Sequence, residues 1–422
     1  MLGLAVAGSQ AAASRYTAPY PVAASKKGLQ VQMVDDALAL GVKHAALNFN
    51  LCQLIDPAGD TNNPSWKSGG RTYYFQRGYL EDMDQQIKAL SDHGVVVTLI
   101  VLAYQSGDPV VNRILIHPQC ITNAPTHLGN FNTVTAEGRR WLTATLEFCA
   151  ERWSRPDQHY GRVCGYIMGN EVDSHWWWAN MGRVSMRTFA DDYLRTVRLA
   201  NIAIRRESSW ARVYISLDHY WNIRGGTGDI ATDDQQEFPG RTFLDYFARE
   251  ARAGGDFDWN LAYHPYPENL FEPRFWHDKT ATTNVLTTPR ITFKNLELLP
   301  AYLRRPEMLY HGQPRHLILS EQGFHTPSEP DGETIQAAAF CYAYKKIERL
   351  DGIDAFILQR HVDNAGEGGL LLGLRGLHPK DGDPHPPKKI YECFRAADTP
   401  EWRAAFDFAL PVIGLQSWDE AK

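Results

Sequence analysis

The sequence predicts an α/β fold, a (β/α)8 TIM barrel with long βα loops. Short, apolar, β-rich runs alternate with longer stretches of helical period along the chain, the pattern of parallel βα units. The alternation supplies eight strands and eight helices. The connections are also lopsided. Those from helix to strand are short, around Gly41, Asp92–Gly94 and Asp351–Gly352, whereas those from strand to helix are long: Leu51–Gly78, Tyr104–Thr135, His219–Gly240, His264–Lys294 and His361–Pro387. In barrels the long loops build the functional face and the short ones close the stable bottom. The alternative is a doubly wound sheet with insertions, which would place a ligand at a switch point. No glycine-rich phosphate loop supports it, since Gly225–Gly228 does not open a helix after a strand.

The first strand falls at Lys27–Gln30, followed by a helix over Val34–Leu40 and a strand at Lys43–Asn50. Leu80, Met83, Ile87 and Leu90 share one helical face, stopped by Asp92-His93-Gly94. Val95–Ala103 is a continuous apolar run, as expected of a strand buried on both faces. Trp141, Leu142, Thr145 and Phe148 mark the next helix and Val163–Gly169 the fourth strand. Phe189, Tyr193, Val197, Ala200 and Ile204 fit a helix before strand Val213–Leu217, and Phe243–Arg252 a helix before strand Trp259–Tyr263. Asn295–Leu303 predicts a helix and His316–Ser320 a strand. Ile335, Ala338, Tyr342 and Ile347 predict a helix, and Asp351-Gly352 turns into strand Ile353–Leu358. Lys388–Ala397 is the last helix. The barrel then occupies residues 25–410, between an N-terminal stub or linker (1–24) and a C-terminal tail (411–422).

With 44% hydrophobic and 22% charged residues, the 422-residue chain can bury a large core. A net charge of −6 argues against nucleic-acid binding, which usually needs a basic surplus. No apolar run reaches the roughly 18 residues of a membrane span. Met1–Ser14 is small and apolar but lacks a basic start, so it reads either as a degraded signal peptide or as the stub of an upstream domain. The first reading would favour a secreted or periplasmic location. Cys52, Cys120, Cys149, Cys164, Cys341 and Cys393 are dispersed with no CxxC or Cys/His pairing, so neither a zinc site nor a disulfide framework follows. Cys149 and Cys164 sit in apolar stretches and read as small core residues.

If function lies at strand C-termini, the candidates can be read directly. Strand four ends in Gly169-Asn170-Glu171, strand five in Asp218-His219-Tyr220-Trp221, and strand six runs into His264-Pro265-Tyr266. Strand seven ends in Ser320-Glu321-Gln322-Gly323 and strand eight in Gln359-Arg360-His361. Glu171 and Glu321 would face each other across one barrel mouth. Two facing carboxylates are what glycosidic cleavage requires, one protonated to donate to the leaving oxygen and one ionised to attack the anomeric carbon. Like charges so placed cannot both ionise freely, so one of the two is expected to keep its proton near neutral pH. A buried ion pair with arginine at a strand end is the structural alternative for these glutamates.

This arrangement resembles the clan A glycoside hydrolases, retaining enzymes on a (β/α)8 barrel whose acid/base and nucleophile glutamates stand at strands four and seven. The resemblance runs over residues 25–400. It implies that Glu171 is the acid/base, that Asn170 before it bonds the sugar 2-hydroxyl, and that Glu321 is the nucleophile. It also implies that His264 or Tyr266 is the strand-six residue touching the nucleophile. Many clan members end strand eight with a tryptophan under the sugar, where this chain has Gln359-Arg360-His361; that departure bears on which sugar is bound. Lys26-Lys27-Gly28-Leu29 and Leu40-Gly41-Val42-Lys43-His44 resemble a barrel family of unassigned function in the same superfamily.

Sugar rings present C–H faces to aromatic planes, and aromatics crowd these loops: Trp66, Tyr73, Tyr74 and Phe75, then Tyr104, Trp176-Trp177-Trp178, Tyr220, Trp221, Phe271, Phe275 and Trp276. Three consecutive tryptophans cannot all face one core. The expected substrate contacts are Asn48, Tyr104, Asn170, Trp176, Trp177, His219, Trp221, His264, Tyr266, Arg360 and His361. Arg360 and His361 are candidates for a carboxylate or sulfate on the sugar, or else Arg360 pairs with a neighbouring Asp. His175, Arg224, Asp173, Asp218 and Asp363 are further charged candidates.

The leading expectation is therefore a retaining hydrolase of a β-linked oligo- or polysaccharide, with no cofactor, metal or nucleic-acid partner. No HExxH, GxSxG, His-x-His or phosphate loop competes with it. A carbohydrate-binding barrel without catalysis and a metal-dependent hydrolase, its ligands gathered from several strands, are the alternatives.

Overall fold

The computed structural model describes residues 16–227, 230–231, 233–282 and 285–421; Met1–Ser14 and Gly228 lie outside them. Eight parallel strands close a barrel in chain order: β1 (Lys27–Gln30), β2 (His44–Asn50), β3 (Val96–Leu102), β4 (Val163–Met168), β5 (Arg212–Leu217), β6 (Trp259–Tyr263), β7 (Leu317–Leu319) and β8 (Ala355–Leu358). Closure is visible at Gly28, which pairs with His44 on β2 and with Ile357 on β8. The intervening helices are α1 (Val34–Ala39), α2 (Arg77–Asp92), α3 (Ala136–Arg152), α4 (Met186–Glu207), α5 (Gly240–Ala253), α6 (Leu298–Leu303), α7 (Gly332–Glu348) and α8 (Lys389–Ala396).

Every residue of β3, β4 and β6 is buried, because one face packs inside the barrel and the other under helices. The inner face forms its own apolar cluster of Ala46, Ile100, Leu102, Ile167, Tyr214, Ala262, Ile318, Ala355 and Ile357. Two glycines let the strands close around it. A Cβ on Gly28 would stand 2.9 Å from His44 Cβ and Ile357 Cγ1, and one on Gly165 would stand 2.7 Å from Thr98 Oγ1. At the barrel floor, buried Lys27 donates through Nζ to the carbonyls of Phe394, Arg395 and Ala397 at the end of α8, at 3.4, 3.4 and 2.9 Å. These are carbonyls that a helix end leaves without partners, so the first strand is tied to α8; two short helices, Trp402–Phe406 and Ala409–Ile413, follow it.

The observed elements follow the sequence reading with shifted ends and one split. The stretch read as one helix over Asn295–Leu303 divides into a 3-10 turn at Phe293–Asn295 and α6. Thr292 and Asn295 cap the start of that turn reciprocally. The β2–α2 loop holds a meander that the reading passed over: Ser65–Ser68 and Arg71–Phe75 form a hairpin about Gly69-Gly70, with Ile55–Asp56 as a third strand. Both turn glycines have positive φ (53° and 77°), as a tight two-residue hairpin turn requires. A helix at Pro109–Leu115, capped by Asp108, lies in the β3–α3 loop. Beyond α8, Phe406 packs edge-on against Phe340 of α7 and against Trp418, and both are buried. Among the described residues no helix is long and apolar enough to cross a membrane.

Gly165→Val is expected to cost about 1–3 kcal/mol, the usual penalty of overpacking a filled interior. Denaturant unfolding measures this, and an unchanged midpoint would show that the inner layer has room to spare.

Candidate active site

Side chains on a strand alternate between faces, so the residue two places beyond an inner-layer residue again points up the barrel axis. Applied to each strand, this rule sets Gln30 above Gly28, Asn48 above Ala46, Tyr104 above Leu102, Ser216 above Tyr214, His264 above Ala262, Ser320 above Ile318 and Gln359 above Ile357. The mouth of the barrel is thus polar directly above an apolar floor.

Glu171 and Glu321 meet there. One carboxylate oxygen of each and one ring nitrogen of His264 lie within 4.8 Å of one another. His264 stands between two partners: Nδ1 is 2.7 Å from Glu171 Oε1 and Nε2 is 3.0 Å from Ser320 Oγ. Glu321 is surrounded by donors. Gln30 Nε2 donates to Oε2 at 3.1 Å and the Tyr266 hydroxyl to Oε1 at 3.2 Å. With the Gln359 amide turned to donate, its nitrogen reaches Oε1 at 3.2 Å and Oε2 at 3.0 Å. Glu171 sits in the left-handed region (φ 36°, ψ 58°), a conformation a branched backbone avoids unless its surroundings impose it. Its N–H donates to Ser216 Oγ at 3.0 Å and its carbonyl accepts from Ser174 N–H at 2.9 Å, which fixes the turn.

The two acids are not equivalent. Burial, then the charge of nearby Glu237, pushes the Glu171 carboxyl up to about 8. Its side chain is still 13% exposed, so a substrate can reach it. Burial also raises Glu321, further aided by the charge of Glu171, but His264 and the hydrogen bonds from Gln30 and Tyr266 oppose the shift. Burial lowers His264, which therefore carries a single ring proton at neutral pH. Protonated Glu171 donates to Nδ1, leaving Nε2–H to donate to Ser320; ionised Glu171 instead accepts from Nδ1–H while Ser320 donates to Nε2. Deeper in, Asp173 Oδ1 accepts from the Asp218 main-chain N–H at 3.2 Å, and Ser174 donates its hydroxyl to Asp218. Burial lifts both of these carboxyls, so Glu171 stands against a wall reluctant to carry charge.

Asn170 is half-buried beside Glu171, and its amide makes no hydrogen bond to the described residues. Asn48 is exposed in the mouth, and Tyr104 is raised by burial and by the charge of Glu321. Of the three tryptophans, Trp176 is half-buried and Trp177 is buried. Trp178, which was not among the expected contacts, is half-buried and packs against the inner cluster.

Four expected contacts are corrected. Trp221 is fully buried, edge-on against Tyr302 of α6 at 4.9 Å, because it follows the strand end on the outward side. His219 lies buried against Tyr220, and burial drives it down to about 3, a neutral ring away from solvent. His361 is fully buried, with Nε2 2.7 Å from Asp36 and Nδ1 accepting from the N–H groups of Gln32 and Met33; Arg375 and Tyr391 share the same Asp36. Arg360 is paired with Glu367 rather than free for an anionic sugar.

Several loop aromatics are likewise structural. Phe75 stacks on Phe148 at 4.2 Å and Tyr73 meets Trp141 at 4.8 Å, both on α3. Phe275 packs on Tyr342, His175 lies against Phe189 and Phe238, and Asp363 is paired with Lys388. The residues the sequence reading missed are Gln30, Ser216, Ser320, Gln359 and Trp178. The signal for the first four was the two-residue alternation continued past each strand end.

The family described as a family of unknown function (DUF5722) matches residues 19–421, and the chain belongs to it. None of the curated proteins compared matches the chain. Among solved structures, a hyperthermophilic β-glucosidase from Pyrococcus furiosus superposes with a TM-score of 0.55 at 14% identity, over 90% of this chain and 86% of that one. A glucosidase from Croceicoccus marinus gives 0.52 at 12% identity, over 91% and 70%. A family 39 glycoside hydrolase from Bacteroides cellulosilyticus gives 0.54 at 12% identity over 88% of this chain, which spans 62% of that enzyme, under two thirds of its length. At such identities the likeness establishes the (β/α)8 fold, as the sequence had indicated.

The raised carboxyl has a thermodynamic consequence. Folded Glu171 keeps its proton up to about 8, whereas the ordinary carboxyl releases it near 4.5. Between those values the native state binds more protons than the unfolded one, so this contribution to stability is full below about 4.5 and is lost as pH rises through about 8. Thermal unfolding of wild type should lose ground relative to Glu171→Gln between pH 5 and 8; parallel curves for the two proteins would refute the shift.

Proposed function

We propose that this DUF5722 member is a glycoside hydrolase that cleaves a β-linked oligo- or polysaccharide with retention, by double displacement. The observation that carries the reading is the approach of the strand-four and strand-seven carboxyl oxygens to within 4.8 Å, one acid holding its proton to about 8 and the other ringed by donors. Retaining enzymes hold the two carboxyl groups about 5–5.5 Å apart, and inverting ones about 6.5–9.5 Å to admit a water. The close approach supports the first class. The names of the fold neighbours, a β-glucosidase among them, are in keeping with a β-linked sugar.

In this reaction Glu321 attacks the anomeric carbon while Glu171 gives its proton to the departing glycosidic oxygen. The bond from carbon to that oxygen breaks and a glycosyl ester on Glu321 forms. Esterification removes the Glu321 charge, which makes Glu171 a stronger acid and its carboxylate free to take a proton from water. The water oxygen displaces Glu321 and the sugar leaves with its original configuration. Asn170, with its amide uncommitted, is placed to hold the 2-hydroxyl. Tyr266, Gln30 and Gln359 keep Glu321 aimed and help it bear charge. His264, bonded to Glu171 through Nδ1 and to Ser320 through Nε2, keeps the Glu171 carboxyl in position.

A second reading has one observation in its favour, since Glu171, His264 and Glu321 could together ligate a cation. The donor set fits poorly. His264 Nδ1 bonds Glu171 directly at 2.7 Å, closing the space a cation would need, and the Glu321 oxygens are already engaged by neutral donors. Loss of activity on chelation, with stoichiometric metal by elemental analysis, would establish that reading in place of the first.

Two measurements test the mechanism. Glu321→Gly should abolish hydrolysis of aryl β-glycosides, and azide should restore turnover with a glycosyl azide of inverted configuration as product. No rescue, or a retained product, counts against Glu321 as nucleophile. Glu171→Ala should lose about 100- to 10,000-fold on poor leaving groups, the usual worth of a positioned acid, and far less on leaving groups that need no proton. Wild-type rates should fall as pH rises through about 8, where Glu171 gives up its proton. Equal losses on both kinds of substrate would exclude the acid role.

A further inference from the structure

The β3–α3 loop, residues 104–135, encloses a second cavity of about 700 Å³ outside the carboxylate pair. In a chain of net charge −6, no carboxylate lines it, while Arg113, His117 and His127 do. Much of its polar wall is internally satisfied. Asn112 bonds the main chain of Ser106 through both its oxygen and its nitrogen at 2.7 Å, Gln105 donates to the Ile121 carbonyl at 2.7 Å, and His117 accepts from the Gln119 N–H at 3.1 Å. The side chains of Arg113, Thr122, Asn123 and His127 are different. All four are exposed to the cavity region and none makes a hydrogen bond, ion pair or ring contact among the described residues.

The cavity adjoins the mouth through a single ribbon. Tyr104 and Leu128 pair in an antiparallel bridge, Tyr104 at the rim within the field of Glu321 and Leu128 in the inner cluster. Their chain neighbours Gln105 and His127 line the cavity and are joined by a Gln105 N–H to His127 carbonyl bond of 2.7 Å. A saccharide passing over Tyr104 from the carboxylates would therefore run onto a pocket with a guanidinium, an imidazole, an amide and a hydroxyl unspoken for.

We propose that this cavity is an accessory subsite that binds an anionic substituent, a carboxylate or a sulfate, on a sugar unit away from the scissile bond. The inference rests on the glycosidase reading above and names a substrate class for it. The Arg113 guanidinium matches the planar geometry of a carboxylate or the oxygens of a sulfate. Thr122, Asn123 and His127 supply the donors and acceptors that ring hydroxyls need. The absence of acids from the wall means that a bound anion meets no opposing charge there.

Binding can be measured on the full chain carrying Glu321→Gln, so that no turnover is needed. The probes are a uronic-acid oligosaccharide, a sulfated galactan oligosaccharide and a neutral β-glucan oligosaccharide of equal length, titrated by calorimetry. At least one anionic probe should bind more tightly than the neutral one. Its affinity should fall with added salt and drop about tenfold in Arg113→Ala, in line with loss of one charge-assisted contact. His127→Ala should weaken the same probe. Whichever anionic probe binds identifies the substituent. The proposal is overturned if neither anionic probe binds, if the neutral probe binds as tightly, or if Arg113→Ala leaves the affinity unchanged. Arg113-dependent binding in a protein whose wild type hydrolyses none of the three would keep the subsite and remove the hydrolase. Hydrolysis of a neutral glycoside without such binding would do the reverse.

Discussion

Two carboxyl groups whose oxygens come within 4.8 Å in a buried mouth cannot both carry charge, and the surrounding side chains decide which one keeps the proton. On the Glu171 side lie a neutral imidazole and further buried acids, Glu237, Asp173 and Asp218, none of which welcomes another negative charge. On the Glu321 side lie Gln30, Tyr266 and Gln359, three groups with protons to donate and no charge of their own. The asymmetry needs no arginine beside either acid. A direct ion pair would have fixed one carboxylate permanently as an anion, whereas neutral donors favour the charged form without locking it in place.

The barrel makes that asymmetry possible because it gathers short contributions from distant stretches of chain. Gln30, His264, Glu321 and Gln359 come from four strand ends, and each stands above an apolar floor that holds its backbone. Several loop residues then serve as braces. Asp36, in the first turn of α1, takes His361, Arg375 and Tyr391 together and so ties the end of β8 to the start of the chain. Ser216 and Ser174 hold the left-handed turn at Glu171 from β5 and from the segment after β4. A residue can thus be indispensable to the mouth without facing it.

The strands were legible because burial on both faces leaves an apolar run that nothing else in a soluble chain produces, as at Val95–Ala103. The two glutamates were legible because each closes such a run. The meander at residues 55–75 was less visible, since its strands alternate like a half-exposed surface and its aromatics look like a sugar platform. The Gly69-Gly70 pair between Trp66 and Tyr73 was the available sign of a hairpin. Two different causes explain the site residues that were misread. Trp221 is out of phase with Tyr214 and Ser216 and turns outward, a phase that a list of aromatic residues near a strand end does not carry. His361 shares the phase of Gln359 and is instead taken up by its bonds to Asp36, Gln32 and Met33. Trp178 was lost for a related reason: three identical residues in one short helix differ only in direction.

The strand-eight end shows how a departure from a familiar pattern can relocate function rather than remove it. Where many clan A enzymes carry a tryptophan, this chain has three polar residues, and the structure gives each a separate task. Gln359 turns to Glu321, Arg360 to Glu367, and His361 to Asp36. None is left as a flat apolar surface, so on the proposed glycosidase reading the plane under a sugar ring has to come from elsewhere in the mouth. Trp178, packed against the inner cluster, and the exposed ring of Tyr104 are the aromatic groups that reading would use. Tyr104 is also bridged to Leu128 at the edge of the polar cavity in the β3–α3 loop. On that reading a chain of sugars leaving the carboxylates over Tyr104 would reach the cavity, which favours an extended saccharide over a single sugar.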